Sequence, residues 1–561
     1  MLKIKKFLFI FGCSLALLMG CSNGNDTVES NNGNETVESG NGNETDETKK
    51  KIEIQNTDNY KGIFVVKYNY SDNFLPAKET GNFIVKKNNV SNNVLSSNIS
   101  QMNNDYIKDF TLNGKSIDLK DCFINDTSKI DKACSELFNN IVKNTSRSVE
   151  NTSIPVNSIK PESYEIGVKK DFYVLKSVAD VKSSEQKEAT LKACNDVCNV
   201  WFVDDCENVN FTDDSIFKNV AEKFKIIYDP EIEIMGDHKY LKKCSSYFID
   251  PSQKINIIIY DIDYDSDPDQ KGGVFGLFYG ADMYTEEALN LDPKNQLKTN
   301  ETQCIYLDSF FLSKDEKQVY STLAHEFNHL LTFCNKTVIY GINPETWFKE
   351  MLSMITEDML QNLLDIEDIS SPKGRLPYFC QYYNYGFLDS WNRKKVDDPD
   401  NPLIDTLINY ANTYAYGAYL VRNCGGFDFL KRLATSEYIN QAAIDDAINS
   451  CNDSNEDISD FKSSIEFFPE IILDVYFKDW KHSSLNKTII YENNDNVYFD
   501  AIELKYSDSN NTYGPNIYRI DYQLDLGGQS FSIHQVEDYE SIIFEYNENN
   551  NMDLSGVTYN Y

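Results

Sequence analysis

Apolar residues recur at helical spacing around the middle of the chain, where Val319, Leu323, Phe327, Leu330 and Cys334 fall on one side of a 3.6-residue repeat. Ser313 and Glu316 have the spacing of a capping box that would open this helix. A second helical pattern follows from Trp347 to Asp358, with Trp347, Met351, Met354, Ile355 and Met359 as its apolar arc. Upstream, the β-branched and aromatic runs Phe172–Leu175, Val200–Val203, Ile255–Tyr260 and Ile305–Leu307 predict strands. Ile216, Phe217, Val220, Ala221 and Phe224 predict a helix among them. Residues 359 to about 482 read as mostly helical. Short apolar runs separated by Asn, Ser and Gly turns predict β-rich regions at both ends, from Gly62–Tyr68 at one to Val497–Phe499, Ile517–Ile520 and Ser541–Phe544 at the other. The second of these reads as a small β-domain of sandwich type.

The first fifty residues follow neither pattern. A basic start (Lys3, Lys5, Lys6), an apolar run from Phe7 to Met19 and the sequence Leu18-Met19-Gly20-Cys21 have the layout of a lipoprotein signal peptide. The run is too short to span a bilayer, and Cys21 would be the lipid-carrying first residue of the mature protein. The near-repeats NGNDTVESN, NGNETVESG and NGNETDET that follow bury too little apolar surface to offset ordering entropy, so they predict a flexible tether.

Charge and cysteine content narrow the picture further. A formal net charge of −35 argues against nucleic acid or anionic lipid as a main partner. Of 13 cysteines, Cys13 and Cys21 belong to the leader, and the odd remainder lacks the spacing of a disulfide scaffold, so mostly buried thiols are expected. Cys194 and Cys198 have no matching second pair for a structural zinc. Asp261, Asp263, Asp265, Asp267 and Asp269 alternate as calcium-type oxygen ligands would, but Pro268 and Val274 break the EF-hand template, so calcium is unsupported and a solvated acidic loop is expected. Gly272–Gly280, glycine-spaced and apolar, suits either a core strand or an edge strand that pairs with an extended peptide.

Chemistry concentrates in His325-Glu326-Phe327-Asn328-His329. Two histidines four apart lie one turn up the same helix face, so both imidazoles reach one metal ion. Glu326, offset by roughly 100°, reaches a water on that metal without ligating it. A zinc that does chemistry takes three protein ligands and leaves one position open. Thr332 and Asn335 stand where a metzincin carries Gly and His, which excludes that class and points to a carboxylate. Glu345, Glu350 and Glu357 are the glutamates available on the next helix. Glu350 and Glu357 share an edge of its apolar arc, and Asp358 falls inside it. Acids so placed need partners, and the metal and its histidines would supply them.

The two helices resemble the gluzincin zinc peptidases, and Trp347–Asp358 is similar to the W-[FL]-N-E-x-L-S segment of the hyicolysin-type metallopeptidases. The resemblance is strong over about 300–362 and recognisable over about 170–485. It implies an α+β, zincin-like core, a twisted sheet packed on the H-E-x-x-H helix and followed by a helical subdomain. It also implies His325, His329 and Glu350 as ligands of one Zn²⁺, and Glu326 as general base. Glu357 or Asp358 would orient a histidine. Tyr414, with Gly417, matches a Y-x-x-G tyrosine that stabilises the oxyanion, and Tyr416 is the alternative. Lys349 departs from the family's Asn, and Met354 from the thermolysin-like Asp.

The expected organisation is therefore signal peptide 1–20, tether 21–57, β-rich accessory region 58–160, metallopeptidase domain 161–485 and small β-domain 486–561. The expected function is that of a lipid-anchored, extracytoplasmic metalloendopeptidase of the bacterial envelope, acting on proteins or peptides. An aminopeptidase would need an anchor for the substrate amine, and the G-x-M-E-N run of related aminopeptidases does not occur. A degenerate surface lipoprotein serving as a binding module is the rival from another class. Retention of both histidines, Glu326 and Glu350 argues against it.

Overall fold

The predicted strands ahead of the histidine pair assemble into one six-stranded sheet in the order Gly276–Leu277, Cys304–Asp308, Ile255–Tyr260, Cys198–Phe202, Ser184–Cys194, Lys169–Leu175. The computed structural model describes residues 49–56, 60–87, 110–116, 125, 127–143, 152–161, 163–204, 209, 211, 213–264, 273–291, 296–388, 404–451, 457–477, 485–506 and 515–559. The signal peptide, Cys21, the tether up to residue 48, Asp265–Asp269 and His482 lie outside these residues.

Three central strands, Cys198–Phe202, Ile255–Tyr260 and Cys304–Asp308, run parallel, and every residue of the middle one is buried. This is why they read as continuous apolar runs rather than alternating ones. The helix Ser215–Met235 makes the crossover between the first two. Gly276–Leu277 closes the sheet as an antiparallel edge strand on Cys304–Asp308.

The histidine helix, Glu316–Thr332, lies against this sheet and the crossover helix. Phe327 packs edge-on to Phe224 at 4.9 Å between ring centroids and stacks on Tyr228 at 5.7 Å. Contacts of this kind each contribute about 0.5–1.5 kcal/mol beyond the area they bury. The helix does not open at Ser313. Asp308 caps a short preceding helix, Ser309–Lys314, which takes in Ser313. Asp315 then caps the histidine helix by accepting the Gln318 N–H at 3.2 Å. The histidine-bearing face is buried beneath the glutamate helix, Thr346–Leu364.

A third helix, Ile404–Asn423, packs on the other side of the glutamate helix. Gly417 is required there, because a Cβ at this position would sit 2.7 Å from Ile355 Cδ1 and Met351 Cγ. The Tyr414-x-x-Gly417 pattern thus has a packing cause.

The terminal β regions, expected as separate units, pair with each other. Gly62–Asn69 is an inner strand of a four-stranded sheet, between Ser530–Glu537 and Met552–Tyr559. Phe110–Leu112 pairs with Leu504–Tyr506. Lys49–Gln55, which falls within the expected tether, is a strand paired with Tyr539–Asn547. Its Ile52 and Ile54 pack against buried clusters of that region. His534 is buried there, with Nε2 on the Ser532 hydroxyl at 2.9 Å and Nδ1 on the Arg519 carbonyl at 3.0 Å. The nine described cysteines are all free thiols, most of them buried, as expected. No described helix is long and apolar enough to cross a membrane.

Candidate metal centre

The histidine and glutamate helices cross so that His325, His329 and Glu350 meet in the interior. His325 Nε2 lies 3.1 Å from His329 Nε2 and 3.2 Å from Glu350 Oε2, and His329 Nε2 lies 3.6 Å from Glu350 Oε1. Ligand atoms about 2.0–2.1 Å from a tetrahedral ion are separated by roughly 3.3 Å, so the two imidazole nitrogens and the Glu350 carboxylate are spaced as ligands of one such ion are. Both Glu350 oxygens are fully buried and accept no hydrogen bond. A carboxylate does not go unpartnered into the interior without cost, and a cation held between it and the two imidazoles removes that cost. This is the one group among the described residues with metal-ligand geometry.

Each imidazole is oriented from behind. His325 Nδ1 lies 2.8 Å from Glu357 Oε1, while the Ser321 hydroxyl donates to Glu357 Oε2 at 2.7 Å. His329 Nδ1 donates to the Ser353 hydroxyl at 3.3 Å, and Ser353 donates in turn to Asn328 Oδ1 at 3.2 Å. Sequence reasoning passed over Ser353, although its position three residues after Glu350, on the same helix face, was an available signal.

The local field favours a positive charge among these groups. Burial works against an imidazolium at His325, yet Glu350 and Glu357 outweigh it and raise the pKa well above the ordinary value. Burial holds His329 down at about 4, against the pull of Glu350, so its Nε2 lone pair is free.

Glu326 turns to the neighbouring edge strand. Its Oε2 accepts the Phe278 N–H at 2.8 Å and its Oε1 accepts the side-chain amide of Asn125 at 2.8 Å. Burial raises its carboxyl pKa to about 8. His325 opposes that shift, Glu350 adds to it and the Phe278 N–H opposes it. Asn125 also takes the Phe275 N–H and Gly276 carbonyl, two of the backbone groups that the Gly272–Gly280 stretch would offer a peptide on the edge-strand alternative. Nothing in the sequence marked Asn125, which stands 201 positions before Glu326 in an Asn-rich region.

Two expected partners are placed elsewhere. Asp358 accepts from Arg422 Nη2 at 3.0 Å and from the Tyr414 hydroxyl at 2.9 Å, with Lys373 Nζ at 3.3 Å, on the far side of the glutamate helix. Tyr414 is thus committed to Asp358, and Tyr416 to the Ser464 hydroxyl at 2.6 Å. Both side chains are buried, and each hydroxyl is bonded to a group outside the His325, His329 and Glu350 cluster. Glu345 precedes the glutamate helix and accepts the Trp347 indole N–H at 2.7 Å.

Residues 181–464, half of the chain, match the peptidase M30 family. The chain belongs to the peptidase M30 family. The metal centre and the sheet strands from Ser184 onward lie inside the M30 match, whereas Asn125 lies ahead of it. The hyicolysin-type resemblance is borne out at this level. A curated relative, the neutral metalloprotease ShpI of Staphylococcus hyicus, is 26% identical over 296 residues, which cover 50% of this M30 chain and 58% of the relative. The chain therefore spans less than two thirds of that relative's length.

Proposed function

We propose that this M30 chain is a zinc-dependent metalloendopeptidase acting on protein or peptide substrates. The observation that carries the reading is the pair of buried, unpartnered Glu350 oxygens facing two imidazole Nε2 atoms. Two nitrogens and a carboxylate oxygen at tetrahedral separations suit zinc. Bound there, zinc would supply a Lewis acid that polarises the scissile carbonyl and acidifies a water.

The chain's own residues do the rest. His325, His329 and Glu350 hold the ion, while Glu357 and Ser353 keep the two Nε2 lone pairs aimed at it. Glu326 takes the proton of the attacking water and returns it to the leaving amine.

The layout around Cys21 supports a further part of the proposal. The protein would be lipid-anchored to the bacterial envelope on the outer side of the cytoplasmic membrane, with the Asn- and Gly-rich segment as spacer.

The deciding experiment is metal analysis of purified full chain beside digestion of a casein-type substrate, with and without chelator. One zinc per chain, with cleavage lost on chelation and restored by zinc, is expected. Full activity without metal would end the proposal. Glu326→Gln should keep the zinc and lose about 10²- to 10⁴-fold in turnover. Cys21→Ser should release the protein from the membrane fraction. Retention there after a high-salt wash would refute the anchor alone.

A further inference from the structure

The contacts of Asn125 form a closed set. Its Oδ1 accepts the Phe275 N–H at 2.9 Å, which orients the amide so that Nδ2 faces the other way. That nitrogen donates to the Gly276 carbonyl at 2.9 Å and to Glu326 Oε1 at 2.8 Å, so both of its hydrogens are used. The Asn125 backbone carbonyl accepts the Tyr410 hydroxyl at 2.9 Å. The helix that follows, Ser128–Phe138, is tied down beside the centre. Asp131 pairs with Lys349 at 2.8 Å, next to Glu350, and the Ser135 hydroxyl accepts from Asn343 Nδ2 at 2.9 Å. This segment lies ahead of the residues that match the M30 family.

We propose that Asn125 is a positioning residue for Glu326, and that the N-terminal segment thereby completes the machinery supplied by the M30 core. The inference rests on the peptidase reading. Glu326 is a buried carboxylate on a rotatable side chain, and a general base must hold its geometry to within a fraction of an ångström. One donor on each oxygen fixes both the plane and the direction of the carboxylate. The Phe278 N–H fixes Oε2 and the Asn125 amide fixes Oε1. Both donors are anchored on the same edge strand, one as its backbone and the other by bonds to Phe275 and Gly276. The second lone pair on each oxygen remains for water.

The test compares Asn125→Ala and Asn125→Asp with the unaltered full chain on one peptide substrate, with zinc content and melting temperature recorded for each. Asp has the size of Asn and can accept the Phe275 N–H, but it has no donor for Glu326. A merely structural role would lower the melting temperature of both variants, because each loses the bond to the Gly276 carbonyl, and would leave kcat of the folded enzyme unchanged. A positioning role predicts that kcat falls about 10- to 100-fold in both variants, and at least as far in Asp, with KM within about twofold and one zinc retained. Tyr410→Phe, which removes the bond to the Asn125 carbonyl, should lower kcat by less and add nothing to Asn125→Ala, so it also serves if either Asn125 variant folds poorly. Undiminished kcat in Asn125→Asp would overturn the proposal. A rise in turnover in either variant would also overturn it, by making Asn125 an occupant of the substrate's place. Absence of zinc-dependent cleavage by the unaltered chain would strike the peptidase reading instead.

Discussion

The Glu357 carboxylate stands 2.8 Å from Nδ1 of His325, on the side of the ring opposite the metal centre. An ionised carboxylate can only accept, so Nδ1 keeps its proton and Nε2 is the ring atom that a bound metal would take in place of a proton. Burial acts to raise the Glu357 pKa, but the bond and charge of His325, with Arg375 and Ser321, lower it overall and keep the carboxylate ionised.

Removing this partner should loosen the metal without abolishing its site. Glu357→Ala is expected to weaken zinc affinity about 10- to 100-fold, and Glu357→Gln, which keeps an acceptor, to do less. Competitive zinc titration measures both. An unchanged dissociation constant in Glu357→Ala would remove Glu357 from the centre.

Asp358, one residue on, answers to a different set of charges, and its substitution should be felt in stability instead. Asp358→Asn leaves Arg422 buried without its counter-charge and Lys373 with only Asp368, at 3.7 Å, a loss of the kind that typically costs about 3–5 kcal/mol. Zinc stoichiometry should stay at one per chain. Tyr414→Phe removes one hydrogen bond to a charged group, about 1.5–3 kcal/mol, and should leave turnover of the folded enzyme near the unaltered value. Denaturant melts beside kcat measurements separate the two effects. A collapse of kcat in stable Tyr414→Phe would restore the oxyanion role that the sequence suggested.

The same carboxylate sets an acid limit on the fold. Burial opposes ionisation of Asp358, yet Arg422, Lys373 and the Tyr414 hydroxyl together lower its pKa below the ordinary value. A depressed carboxyl contributes stability that is fully present above its unfolded value, about 3.9, and is lost as pH falls toward the folded value. The stability difference between the unaltered chain and Asp358→Asn should therefore shrink as pH is lowered below about 4 and be constant from about 5 to 7. Urea melts across that range check it. A difference that grows on acidification would contradict the assignment.

What could be read in advance follows the reach of the physics. His325, Glu326 and His329 were legible because helical spacing is local and the spacing itself carries the chemistry. The strands at Ile255–Tyr260 and Cys304–Asp308 were legible because burial on both faces leaves an unbroken apolar run. Glu357 and Asp358 could not be told apart, since their roles depend on what covers each side of the helix, and Arg422 lies 64 positions further on. The pairing of Gly62–Asn69 with Ser530–Glu537 and the reach of Asn125 to Glu326 are long-range contacts that leave no periodic trace. The capping error was local and had another cause. Two helices meet between Lys314 and Glu316, and Asp315 outcompetes Ser313 because the first helix has already absorbed the serine.

The assignment of the third ligand can be tested through folding as well as through binding. Glu345 already has a partner in the Trp347 indole, at 2.7 Å, and stands at the cap position of its helix, where a carboxylate is favoured by the exposed backbone N–H groups. Glu350 has no hydrogen-bond partner for either oxygen. A ligand that binds only the folded state stabilises it by about 2.7 kcal/mol at a free concentration 100 times its dissociation constant. Zinc should therefore raise the melting temperature of the unaltered chain and of Glu345→Ala to the same extent. Glu350→Ala should show no such rise, because two imidazoles alone do not complete a tight site. In chelator the order should change, since Glu350→Ala no longer buries an unpartnered carboxylate and is relieved of that desolvation cost, against which stands the cavity left by the side chain. Melting each protein with zinc and with chelator gives the zinc-dependent shift directly. A full shift in Glu350→Ala together with none in Glu345→Ala would exchange the two assignments.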